Sequence, residues 1–542
     1  MHIKKLLLLT LFTHSLLLLA GCSDENHPDN PAPEIILYEA QDITRTSARL
    51  SGTVNTPAHS RTDRYRFRYG TSPEMPETEM SPLTDSHVTT ELQNLIPGTT
   101  YYYCLEAGNE RYLRQSSICS FTTAPNERPR IESITFLGQG PVSIILQCAV
   151  TDDGGDPVTA SGFCYAAANG EEQEATASLT ADHRWRLYIN HLKKYTEYTV
   201  RAFAENRNGR TYSEPYCFRT SDAVTLINAG MLPEIIGEDG KKEHTQLSIA
   251  GPLNGTDIRF IREMCGKDVL GKPTQGQLQK LDLTDASIVA GGLSYNESRY
   301  TEERTIGYGM FGELDILTEI KLPANTLKIE QDAFHNCTSL TSLSIPGSTK
   351  ELTPSVGCPR LAHISVTEGN PAYIGIDGVV YSLNGEALVW FPEGMEKDEI
   401  RFSPTLKSIG EYALQKCKVR SIVLPASLTS IGKSAFYAAE IESVVLPDGL
   451  QSVPLGIFQQ CSKLVSVTLG SACETLSDYC FDGCTLRHLY VKAVIPPVCQ
   501  SGTFYGAEKI FTDCTLHVPK ESLPIYRNHS TWKQFQHLTI IE

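Results

Sequence analysis

The side chains able to do chemistry in this chain are plentiful, but they do not converge. There are 16 Cys, 14 His and 63 Asp plus Glu among 542 residues. Cys473, Cys480 and Cys484 lie close in sequence and could be mistaken for a metal site. No Cys-x-x-Cys pair accompanies them and no His falls at zinc spacing, so neither a metal nor a cofactor is expected. Asp152-Asp153-Gly154-Gly155-Asp156 gathers carboxylates, yet it lacks the ligand spacing and closing Glu of a calcium-binding loop. It reads as a tight turn. Carboxylate pairs are too common here to carry weight for glycoside hydrolysis. No dinucleotide-binding Gly-x-Gly-x-x-Gly is expected after a strand, and no complete phosphate-binding Lys-Ser/Thr loop, His-Glu-x-x-His or Gly-x-Ser-x-Gly occurs. An enzyme is not expected. The net charge of −16 argues against nucleic acid, which needs a basic face.

One cysteine stands apart. Lys4-Lys5 precede an apolar run over residues 6–19, which ends in Leu19-Ala20-Gly21-Cys22. The run is too short for a comfortable membrane span. The arrangement resembles a bacterial lipoprotein signal. That resemblance implies a cleaved signal peptide over residues 1–21 and acyl chains, palmitate among them, on the sulfur and new amino group of Cys22. Several chains give durable anchoring. Ser23-Asp24-Glu25 resembles the export tag that places Bacteroidetes-type lipoproteins on the outer face of the outer membrane. Residues 22–33 carry Pro28, Pro31 and Pro33 and read as a tether, reaching about 35–40 Å at ~3.1 Å per residue.

The remaining candidates are surface residues, and a repeat positions them. Leu317-x-x-Ile320-x-Leu322-Pro323 returns as Leu340-x-x-Leu343-x-Ile345-Pro346, Val419-x-x-Ile422-x-Leu424-Pro425 and Ile441-x-x-Val444-x-Leu446-Pro447. Ala333-Phe334-x-x-Cys337, Ala413-Leu414-x-x-Cys417, Ala435-Phe436 and Phe458-x-x-Cys461 fall between them. A fixed period of this length predicts stacked units sharing one core. The Ile-x-Leu positions point inward and their neighbours outward. Pro ends each strand because it has no ladder donor. Phe returns to the core on the opposite side of the coil, and Cys337, Cys417, Cys461 and Cys484 form a buried column. One outward column runs Lys321, Ser344, Ser365, Val423, Val445, Thr468, Tyr490. Its neighbour runs Glu319, Ser342, His363, Ser421, Ser443, Ser466, His488. Small, hydroxyl-rich and nearly uncharged, they suit an extended polypeptide or glycan, and equally they are what a pleated sheet tolerates. Tyr490 alone does not make a sugar-stacking platform.

These motifs resemble BspA-like leucine-rich repeat proteins. Asn254-Gly255-Thr256-Asp257, capping a helix through Phe260 to Met264, and Leu281-Asp282-Leu283-Thr284-Asp285-Ala286 resemble the entry region of that family. Asp377-Gly378-Val379-Val380-Tyr381 with Leu388-Val389-Trp390-Phe391-Pro392 resembles its hairpin insertion. Leu516-His517-Val518-Pro519, Tyr526 and Trp532-x-x-Phe535 resemble its C-terminal end. The resemblance implies a leucine-rich repeat solenoid over residues 222–542 and adhesion to a host or matrix protein.

Upstream the pattern has period two. Leu95-Ile96-Pro97-Gly98-Thr99-Thr100-Tyr101 and Phe121-Thr122-Thr123-Ala124-Pro125 resemble a fibronectin type III domain, expected over residues 34–124. Its corner tyrosine bonds back to the preceding loop. Leu192 and Tyr198 keep the same spacing in a second such module over 129–220, where Lys193-Lys194-Tyr195 replaces the Pro-Gly. Cys104 and Cys119 are expected on neighbouring strands, which leaves a bridge open. The expected fold is therefore multidomain: two all-β immunoglobulin-like sandwiches, then a solenoid. The expected function is a lipid-anchored cell-surface adhesion protein. The rival is a glycan-binding accessory lipoprotein of a nutrient-uptake system.

Overall fold

The computed structural model describes residues 32–58, 62–80, 83–84, 86–110 and 112–541. Cys22, the signal peptide and nearly all of the tether lie outside the described residues. Two compact units emerge. The first holds the chain to Arg130 with Val150–Thr159 and Ala204–Thr211, and the second holds the rest. Among the described residues no helix is long and apolar enough to cross a membrane.

In the first unit, Ala48–Asn55 pairs antiparallel with Glu34–Leu37 and His87–Leu92. Thr100–Gly108 pairs with Arg64–Gly70, Leu113–Gln115 and Cys119–Thr122 in a second sheet. Alternation turns Ala48, Leu50 and Val54 inward, where they share a core with Phe67, Tyr101, Leu105 and Phe121. The Tyr101 hydroxyl accepts from the Ile96 amide at 2.9 Å, as the corner motif predicts. The segment 152–156 is a turn. Gly154 and Gly155 have φ of 76° and 84°, and their amides donate to the Asp152 and Asp153 carboxylates. Arg45 grips Asp152 with two bonds of 2.8 and 2.9 Å, so that carboxylate is already occupied.

The second unit opens with another pair of antiparallel sheets, with Trp185 and Phe163 fully buried between them. Its corner forms too, Lys193 N donating to the Tyr198 hydroxyl at 2.9 Å. The missing glycine is replaced by strain: Tyr195 takes φ 54° where Gly98 has 62°.

This second sandwich does not end where the repeats begin. Thr135–Gly140 pairs antiparallel with Ala223–Leu226, which pairs in parallel with Gln246–Leu253. The ladder continues through Lys280–Asp282, Glu319–Lys321 and Ser342–Ile345 to His363–Val366, giving one sheet of 11 strands. Ile145 of the sandwich lies in the same core cluster as Val224, Leu226 and Leu281. The helix Gly255–Met264 starts as expected, with Asn254 accepting from Thr256 N. Asp257 also accepts from Gly230 N and Leu232 N, which ties down the start of the preceding helix Leu232–Gly240.

Neighbouring repeats join through up to three sets of contacts. The main ladder carries Ile320, Leu343, Ile364, Ile422, Val444, Val467, Leu489 and Leu516, all buried. A short second ladder runs through pairs such as Ser452–Val453, Thr475–Leu476 and Val498–Cys499. On the third side the rings of Phe436, Phe458, Phe481 and Phe504 stack at 5.6, 6.2 and 5.7 Å. Here the backbone is left-handed at paired positions, Asp332 and Asn336, Tyr412 and Lys416, Ser434 and Ala438, Gly456 and Gln460, Tyr479 and Gly483. The second member of a pair sends its amide to the neighbouring repeat: Lys416 to Tyr437 O, Ala438 to Gln459 O, Gln460 to Asp482 O. These bonds account for backbone donors that no strand satisfies.

The hairpin at residues 373–390 interrupts the main ladder. Tyr373–Ile376, Val379–Ser382 and Ala387–Trp390 pair antiparallel in turn, and the last pairs in parallel with Ser408–Ile409, in a sheet of five strands that ends at Ser430–Ile431. The first parallel run stops at His363–Val366, and a second begins at Glu399–Arg401 and ends at His537–Ile540. Tyr526, Trp532 and Phe535 close that end, with Trp532 Nε1 donating to Pro497 O at 2.8 Å.

Candidate functional site

Because strand neighbours alternate in face, the residues beside each buried Ile or Val form outward rows. Register pairs Glu319 with Ser342 and His363, and Lys321 with Ser344 and Ser365. On the second sheet it pairs Ser421, Ser443, Ser466 and His488, and alongside them Val445, Thr468 and Tyr490, while Val423, beside the paired Ile422, is in register with Arg401. The two expected columns are therefore real as rows but not continuous. The hairpin separates Ser365 and His363 from Val423 and Ser421, so the candidates fall on two sheets. The break follows from the inserted strands, which join the short second ladder at Ser408–Ile409 and pair with neither run of the main one.

The two faces differ. The first is charged: Lys321 meets Asp282 at 2.8 Å and Lys280 meets Glu319 at 3.7 Å, beside a groove of about 410 Å³ that Asp222 and Gln246 also line. Burial pushes the Asp282 carboxyl up, but hydrogen bonds from Lys321 and Thr284 outweigh it and hold it below the usual range. These charges satisfy one another and leave little for a ligand.

The second face is nearly uncharged. Ser421, Val423, Ser443, Val445, Pro447 and Asp448 line a groove of about 430 Å³. Val423 is 38% and Val445 54% exposed, although both belong to strands. Asp448 at the rim is paired with Lys492 at 3.3 Å. Beyond Thr468 the rows turn aromatic. The Tyr490 ring stacks on His517 with centroids 4.1 Å apart and planes 15° from parallel. His488 packs against both rings.

Three features were missed at the sequence level. Glu399 and Arg401 begin the second face, and Thr515, His517, His537 and Thr539 extend it. Leu516-x-Val518-Pro519 carries the repeat's own strand signal, so His517 was within reach. His537-Leu538 has no following Pro and gave no signal. Tyr490 is thus not isolated, contrary to expectation. A Gly-x-Gly-x-x-Gly spacing is also present after a strand, at Gly307-Tyr308-Gly309-Met310-Phe311-Gly312. It forms the corner of a repeat, with Phe311 buried against Phe334, and no helix follows to receive a phosphate.

Among the described residues no cysteine is in a disulfide. Cys119 lies opposite Tyr103, so Cys104 projects from the other face of its strand. The column thiols instead donate to backbone carbonyls of the preceding repeat: Cys337 to Phe311 O at 2.9 Å, Cys358 to Phe334 O at 3.2 Å, Cys461 to Phe436 O at 2.9 Å and Cys484 to Phe458 O at 3.0 Å. Burial pushes the Cys337, Cys417 and Cys484 thiols up to about 12, which makes them inert. Cys358 joins the expected column.

Six copies of a BspA type leucine rich repeat region match residues 300–375 and 391–510. Over 149 residues the chain is 31% identical to neural cell adhesion molecule 1 of Gallus gallus, matching 27% of this chain and 13% of that protein. The Bos taurus counterpart is 32% identical over 142 residues, 26% of this chain and 16% of that protein. The chain thus spans less than a fifth of these curated relatives. Among solved structures, the pneumococcal vaccine antigen PcpA aligns at 20% identity over 55% of this chain and 79% of that one, with a TM-score of 0.35. A two-domain fibronectin type III segment of chicken tenascin aligns at 22% identity over 34% of this chain and 97% of that one, with a TM-score of 0.19.

Proposed function

We propose that this chain is a cell-surface binding protein that holds an extended segment of a host or matrix protein on the outward face between Glu399–Arg401 and His537–Ile540. In this reading the repeats form a leucine-rich solenoid. The modules at 34–124 and 129–220 are fibronectin type III-like spacers, and lipid on Cys22 anchors the chain at the outer membrane facing outward. The observation that carries it is the groove around Val423 and Val445: exposed β-branched side chains flanked by serines, without a free charge. Such a surface offers apolar contact and short hydroxyls to a polypeptide lying across the strands. The leucine-rich repeat match and the adhesion-molecule likeness lend support.

A glycan is the second reading, favoured by Tyr490, His488 and His517. The stacking of Tyr490 on His517 turns one face of each ring toward the other, leaving less open ring surface for a sugar. That tips the balance toward a polypeptide. Purified chain and a Val423→Asp, Ser443→Arg, Val445→Asp variant would be applied to immobilised matrix proteins and to a glycan array. The polypeptide reading expects protein binding that the variant loses. Glycan binding without protein binding would replace it, and protein binding untouched by the three substitutions would sink it. Cys22→Ser should release the protein from membranes.

A further inference from the structure

The geometry points to a two-histidine site for a divalent transition-metal ion of the zinc or nickel kind, formed by His488 and His517. The two project on the same outward face from paired strands, His488–Val491 and Thr515–Val518. His488 Nδ1 lies 3.2 Å from His517 Nε2. Two nitrogens bound to one tetrahedral zinc, each at about 2.0–2.1 Å, sit roughly 3.3 Å apart. The free pair is therefore already near the separation an ion would impose, and turning both rings off the line between the two nitrogens would aim both lone pairs at one point.

The proton balance is simple. Without an ion, one facing nitrogen carries a hydrogen and donates it to the other. With His488 protonated on Nε2 and His517 on Nδ1, both rings stay neutral and both facing nitrogens are bare. Metal binding then needs a change of tautomer and no net loss of a proton. The Tyr490 ring, stacked 4.1 Å from His517, holds that imidazole's plane in place beforehand. His537 lies in register with Thr515 on the next strand and places a third imidazole on the same face. Among the described residues no group of three ligands closes around an ion, so water completes the coordination. The donors are nitrogen, which suits zinc, nickel or copper and not magnesium or calcium. Sequence spacing gives no hint of the site, because its two residues are 29 positions apart. The inference does not depend on what the groove binds.

The test is calorimetric titration of Zn²⁺ and Ni²⁺ into the purified full chain carrying no histidine tag. His488→Ala and His517→Ala remove one ligand each. His517→Phe keeps an aromatic ring against Tyr490 but has no nitrogen. His363→Ala, on the other parallel sheet, serves as the control. Wild type and His363→Ala should bind one ion, and each of the other three should bind on the order of tenfold or more weakly. Mg²⁺ and Ca²⁺ should give no saturable binding. Circular dichroism should be unchanged, since neither imidazole belongs to the core. Wild-type affinity in His488→Ala and His517→Phe, or no saturable Zn²⁺ binding by the wild type, overturns the assignment.

Discussion

Glu393 shows how a single buried group sets a pH dependence. It is 5% exposed and accepts from the Gly357 amide at 2.6 Å. Burial raises its carboxyl above the ordinary value, while that hydrogen bond and the charge of Lys416 oppose the rise only in part. The folded state therefore holds the proton more tightly than the unfolded chain. Stability from this group is fully present below the unfolded value, about 4.3, and falls as pH rises through the raised one. Glu393→Gln keeps an oxygen for Gly357 and carries no charge to bury. Its melting temperature should match wild type near pH 4 and exceed it at pH 8. A variant melting lower at pH 8 would show that the ionised carboxylate stabilises. Tyr198 gives a second residue-scale expectation. Tyr198→Phe removes the acceptor for Lys193 N and should cost about 1–2 kcal/mol in urea unfolding. The spacing Leu192 to Tyr198 was enough to foresee this corner. That Tyr195 would take the glycine's conformation was not foreseeable, since only the surrounding bonds impose it.

At the scale of the element, the paired left-handed residues are the device that lets each coil turn. Their occupants range from Gly to Tyr, Lys and Ala, so residue type alone did not mark them. A left-handed residue with a Cβ costs roughly 1–2 kcal/mol, against about 0.5–1 kcal/mol for the extra freedom glycine loses. Ala438, at φ 54°, has almost no side chain to lose. Ala438→Gly should raise stability by about 0.5–1 kcal/mol, measured by chemical denaturation. Gly483→Ala should do the reverse. Its φ is 73°, and the new Cβ would meet Gln460 Nε2 at 2.8 Å. Equal stabilities of both variants and wild type would mean the turn tolerates either conformation. The strands themselves were legible, because Ile-x-Leu-Pro combines period two with a residue that ends a ladder.

At the scale of the second unit, the sandwich and the repeats before the hairpin share one sheet, and Ile145 of the sandwich joins their core, while the repeats beyond the hairpin pack a core cluster of their own. Ser143 Oγ and the Tyr188 hydroxyl both donate to Ile235 O, and Arg186 pairs with Glu234, so the helix Leu232–Gly240 is also held from the sandwich side. A fragment beginning at residue 222 would leave Ala223–Leu226 as an open edge and strip Ile145 from the core. Such a fragment should melt lower and bind more of a hydrophobic dye than one beginning at residue 129, which should unfold in a single transition. Equal melting of the two would show that the shared strands add no stability.

Local periodicity is sufficient to reveal the repeat, the inward and outward rows and the tyrosine corners. Each depends on residues within one strand or one turn, where alternation and proline act directly. Contacts between distant residues had to come from the folded chain. The hairpin's splitting of the rows, the fusion of sandwich and repeats, and the meeting of His488 with His517 depend on which strands become neighbours. That choice is made by burial of a common core, and no short stretch of sequence records it.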